Sequence, residues 1–91
     1  MILDDIYDKL NKIDLKGYIL VRTGVKKLLL LKTNYKYSNC IYINLVSDNI
    51  EVRIDRVFDN KYIYNGIERL YCFNNIFKST DDVIDCLMSY I

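Results

Sequence analysis

Five residue types are missing from this 91-residue chain: histidine, proline, tryptophan, alanine and glutamine. Without histidine, the commonest general base and the commonest metal ligand are both absent. The chain also has no glycine-rich phosphate loop, Cys-His pair or nucleophile elbow. No enzymatic activity, cofactor or metal is therefore expected. The three cysteines, Cys40, Cys72 and Cys86, are odd in number and lack CxxC spacing, which points to reduced, buried thiols rather than disulfides or zinc. No apolar run approaches the ~20 residues of a membrane span. Asp4, Asp5 and Asp8 stand where a signal peptide needs a basic start and an apolar run. A cytoplasmic protein without membrane contact is expected, in the host cell if the chain comes from a phage or virus.

What is present is as skewed as what is absent. Ile, Asn, Lys and Tyr supply 40 of the 91 residues, all four encoded by AT-rich codons, so a low-GC genome is expected. Hydrophobic residues make up 52% of the chain against a formal net charge of only +1. That balance is poor for a solitary soluble monomer, and part of the apolar surface is expected to meet a partner or a second copy in a homodimer. A chain of this length makes one domain, residues 1–91, large enough to bury a core without staples.

The near-zero charge conceals a polarised layout. From Leu15 to Ser47 there is no Asp or Glu, and Lys16, Arg22, Lys26, Lys27, Lys32 and Lys36 give that segment +6; the first 14 residues sum to −2 and residues 48–91 to −3. Such asymmetry suggests an acidic partner. Half of the twelve carboxylates, Asp4, Asp5, Asp8, Asp81, Asp82 and Asp85, sit in or near helix starts, where capping and the helix dipole account for them.

Apolar residues at three- and four-residue spacing, Ile2, Leu3, Ile6, Tyr7, Leu10 and Ile13, predict an amphipathic helix over 2–13, stopped by Asp14 to Gly17. Strands are expected over 18–23 and 26–33, connected at Gly24. Leu28 to Leu31 lacks alternation, so that strand is covered on both faces or has one face waiting for a partner. After a polar loop over 34–39 come strands at 40–46 and from Ile50, where Ile50, Val52 and Ile54 face inward against Glu51, Arg53 and Asp55 outward. Val57-Phe58 breaks that period, as a bulge or strand end would. Two turns, at Asp59-Asn60 and Asn65-Gly66, bracket a short strand over 61–64 and precede another over 67–73. Asn74-Asn75 leads out to a final helix, capped by Ser79 or Thr80, with Val83, Ile84, Leu87, Met88 and Ile91 on its apolar face.

The expected fold is therefore α+β: an N-terminal helix, a five- or six-stranded antiparallel meander sheet and a C-terminal helix, both helices on one sheet face.

The residues expected to carry partner binding are Arg22, Lys26, Lys27, Lys32, Tyr35, Lys36 and Tyr37. Arg22, Arg53, Arg56 and Arg69 are candidate arginine anchors, since Tyr and Arg dominate interface hot spots. The basic segment also carries Tyr18 and Tyr42, and cations beside exposed rings are what a single-stranded nucleic-acid platform uses. In size and composition the chain resembles the small accessory proteins of phages and mobile elements, among them inhibitors of host defence such as anti-CRISPR proteins. That resemblance covers no motif; it implies a non-enzymatic inhibitor or adaptor acting stoichiometrically on a larger host protein. The alternative is a small nucleic-acid-binding protein using residues 15–47.

Overall fold

The structure is a computed structural model that describes residues 2–33, 37–60 and 66–91, with side chains described over 2–33, 37–58 and 73–91. Its order is α1 (Ile2–Leu10), β1 (Ile19–Gly24), β2 (Lys27–Thr33), β3 (Tyr37–Val46), β4 (Asn49–Asn60), β5 (Gly66–Phe77) and α2 (Thr80–Tyr90). The five strands form one open antiparallel sheet in the order β1-β2-β3-β4-β5. The two helices pack on one of its faces and touch each other.

The helix-side face follows from the register. Leu28, Ile43 and Val52 lie side by side across three strands, as do Leu30, Ile41 and Ile54. With Ile50 they form the sheet's contribution to a core closed by Leu3, Ile6 and Leu10 of α1 and Val83 and Leu87 of α2. Fully burying one such side chain contributes about 1.5–3 kcal/mol, so this shared floor fixes which face of each strand turns inward.

Both helices have local reasons to form. Asp4 and Asp5 lie in the first turn of α1 and Lys9 near its end, matching the helix dipole. Lys9 is shared between Asp5 at 3.8 Å and Asp81 of α2 at 3.3 Å. At α2, the Ser79 hydroxyl accepts a hydrogen bond from the Asp82 backbone N–H at 3.2 Å, the side-chain cap expected there.

Several boundaries differ from the sequence reading. The first helix ends at Leu10 rather than Ile13, and the chain turns through Lys16 (φ 52°) and Gly17 (φ 94°). The β1–β2 turn is Val25-Lys26; Gly24 closes it opposite Lys27 without taking a positive φ. β3 begins at Tyr37, so Tyr37, Ser38 and Asn39 are strand rather than loop, paired with Phe58, Val57 and Arg56. β4 runs through Val57-Phe58 to Asn60, so Asp59-Asn60 is no turn: these residues pair with Ile67 and Gly66. The short strand expected over 61–64 lies outside the described residues.

Asn74 and Asn75 belong to β5, opposite Arg53 and Val52. The irregularity expected at Val57 sits instead between Ile54 and Asp55, whose partners Phe73 and Tyr71 leave Cys72 unmatched, a bulge on β5. Met88, expected on the apolar face of α2, is exposed.

The leucine run divides between the faces. Leu28 and Leu30 are fully buried under the helices, while Leu29 and Leu31 are half-buried on the uncovered side. Asp55 also points to the uncovered side yet is fully buried, its carboxylate 3.0 Å from Arg53 Nε. Alternation set its face; neighbouring side chains set its burial.

Candidate binding surface

The long strands β3 and β4 carry the helix-side face beyond the region the core occupies. There the paired residues change from Ile41 and Ile54 to Asn39 and Arg56, then to Tyr37 and Phe58. Arg56 Nε donates to Asn39 Oδ1 at 3.1 Å, and its guanidinium lies 4.2 Å from the centre of the Tyr37 ring. The Tyr37 and Phe58 rings are 5.8 Å apart. Such packing holds the guanidinium plane in place and lends it cation–π attraction.

Tyr18, just before β1, completes this shelf. Burial pushes its phenol above the ordinary value, against the pull of the Asn39 side chain and of the Arg56 charge. Lys32 Nζ lies 5.6 Å from the Tyr18 ring centre and donates to the Lys16 carbonyl at 3.0 Å. Gly17 permits this approach: its φ is positive, and a Cβ there would come within 3.3 Å of Lys32 Cε. Among the described residues neither Lys32 nor Arg56 forms an ion pair.

Beside Arg56 the surface sinks into a hollow of about 180 Å³, lined by Tyr18, Asn39, Ile41, Ile54, Arg56 and Tyr90. A water molecule's share of liquid volume is about 30 Å³, so the hollow has room for one side chain.

The other expected residues are elsewhere. Arg22 pairs with Asp4 at 2.6 Å and lies 5.9 Å from the Tyr7 ring centre; its hydrogen bond holds the Asp4 carboxyl below the usual range. Lys26 and Lys27 are exposed at the β1–β2 turn. Five strand steps separate Lys27 from Lys32, roughly 17 Å at about 3.3 Å each. Tyr35 and Lys36 lie outside the described residues, as does the side chain of Arg69.

The uncovered sheet face offers a different surface. At the β1 edge, Ile19 stands opposite Leu31 and Val21 opposite Leu29, an apolar block with Ile19 63% exposed. Tyr42 lies on this face, apart from Tyr18 and Tyr37, and lines a shallow hollow with Asn44, Glu51 and Arg53. Asn44 Nδ2 donates to Glu51 Oε1 at 3.1 Å. Cys40 is buried and Cys86 half-buried, burial raising the Cys86 thiol pKa.

The expected basic segment thus splits between two ends of the sheet. The shelf unites Lys32 and Tyr37 with Arg56, expected as an arginine anchor, with Tyr18 of the basic segment, and with Asn39 and Tyr90. Asn39 and Arg56 are 17 positions apart; only the β3–β4 register makes them neighbours, and no local motif signals it.

Among the described residues no group of three or more Cys, Asp or Glu side chains is placed to hold a metal ion. No helix among them is long and apolar enough to cross a membrane. No protein-family model, curated protein or solved structure matches the chain.

Proposed function

We propose that this protein is a small non-enzymatic binding module that acts stoichiometrically, as an inhibitor or adaptor, by covering a surface on a larger protein. The observation that carries this reading is the shelf, where two half-buried cations, Lys32 and Arg56, sit against tyrosine rings with no carboxylate partner among the described residues. A rigid arginine and tyrosine cluster with unspent charge is the composition of an interface hot spot. The half-apolar uncovered face adds area that a partner or a second copy could cover.

Single-stranded nucleic acid is the second reading, because rings and cations together also suit bases and phosphates. The cation count weakens it. Two cations on two phosphates give a slope of only about −1.4 in log K against log salt, too shallow for a dedicated binder.

The test is to use the tagged protein as bait in native lysate of a low-GC Gram-positive bacterium and to weigh the recovered complex by light scattering. A complex of fixed 1:1 composition that survives nuclease treatment supports the proposal. A complex that nuclease dissolves contradicts it and favours nucleic acid.

A further inference from the structure

We infer that the hollow between Tyr18, Asn39, Arg56 and Tyr90 is a peptide subsite that seats an acidic residue of the partner together with an adjacent aromatic or large aliphatic one. This inference rests on the protein-binding reading above and names the chemistry of the partner segment.

Arg56 supplies the charge. Its Nε is committed to Asn39 and its face to Tyr37, while its two Nη groups donate to no side chain among the described residues. The guanidinium is therefore held flat with its outer edge unspent, the geometry that accepts a carboxylate. Because Asn39 and Tyr37 already restrict its rotamers, little further side-chain entropy is lost when an anion arrives. Lys32, held over the Tyr18 ring, adds a second positive charge on the same shelf, and neither cation pairs with a carboxylate among the described residues.

The hollow supplies the apolar half. Its floor includes Ile41 and Ile54, whose inward packing leaves them 0% and 7% exposed, and Tyr90 on its rim is 46% exposed. Its volume of about 180 Å³ suits one ring or branched aliphatic side chain. An acidic residue alone would leave the exposed Tyr90 ring on the rim uncovered, and an apolar residue alone would leave Arg56 without a counter-charge. The pair satisfies both.

The probe is the blocked dipeptide acetyl-Glu-Phe-amide, titrated at millimolar concentration while the methyl signals of Ile41 and Ile54 are followed by NMR. Saturable shifts of both methyls are expected. Binding should weaken at least about tenfold with acetyl-Gln-Phe-amide, the value of one charge-assisted hydrogen bond. Arg56→Gln should weaken acetyl-Glu-Phe-amide binding to the same extent, and its unchanged methyl spectrum would show that the fold persists. Arg22→Gln should leave the titration unaltered.

Equal binding of the Glu and Gln peptides would overturn the inference, as would the absence of shifts. Shifts confined to Leu29 and Leu31 would also overturn it, while leaving protein binding through the uncovered face in force. If pentathymidylate moves Ile41 and Ile54 and the dipeptide does not, both the inference and the protein-binding reading fail.

Discussion

Arg22 and Arg56 project from the same face of the same sheet, each against a tyrosine ring and an oxygen acceptor, yet they are in opposite electrical states. Arg22 on β1 meets the carboxylate of Asp4 at 2.6 Å; Arg56 on β4 meets the neutral amide of Asn39 at 3.1 Å. The difference lies in what stands above them. Helix α1 brings Asp4 over the β1–β2 end, whereas at the far end of β3 and β4 Arg56 meets Asn39 and aromatic rings, with no carboxylate pairing it among the described residues. One end has its charge settled within the fold; the other keeps a charge available.

Both ends depend on the leucines between them, so the strongest way to break the comparison is Leu30→Ala. Leu30 is fully buried between Leu20 and Ile41 in the register. Its truncation should cost about 2–5 kcal/mol in transfer energy and cavity, read as a lower urea midpoint with unchanged slope. A loss below 0.5 kcal/mol, about the size expected of surface substitutions, would mean that Leu30 is not part of the shared floor.

A smaller effect sharpens the contrast. Arg22→Gln removes the hydrogen bond that lowers the Asp4 pKa from its ordinary 3.8. A carboxyl with a depressed folded-state pKa contributes stability above its unfolded value and loses it as pH falls through the folded value. The deficit of Arg22→Gln should therefore be full at neutral pH and disappear in strongly acid solution. Arg56→Gln forfeits about 0.5–1 kcal/mol of cation–π attraction, independent of pH across the same range. Urea midpoints of both variants measured from neutral to acid pH separate the two; parallel curves would show that Asp4 does not distinguish the arginines.

The sequence made much of this fold legible where local signals agreed with the pairing. Ser79 ahead of Asp82 reads as a cap and is one, and Ile50, Val52 and Ile54 alternate toward the core as their spacing predicts. Turn chemistry misled where sheet pairing overrode it. Asp59-Asn60 and Asn74-Asn75 are turn-type residues, yet both lie in long strands whose hydrogen-bonded neighbours hold them extended. Asn75 even accepts from the next backbone N–H at 2.8 Å without ending its strand.

The shelf was legible only in parts. Lys32 and Tyr37 belong to a visible basic and aromatic segment, but Asn39 reaches Arg56 through register, and Tyr90 arrives from the last helix. Charge counting along the chain could not show that Arg22 is paired with a residue 18 positions before it, or that Arg56, in a segment of net negative charge, has no partner carboxylate among the described residues.

The most direct test of the central claim, that the Arg56 end meets the partner and the Arg22 end does not, is photo-crosslinking of the native complex. A benzophenone side chain is placed either at Tyr37, against Arg56, or at Val25, 74% exposed in the β1–β2 turn. The account predicts a single 1:1 adduct from position 37 and none from position 25. An adduct from position 25 with none from position 37 would contradict it.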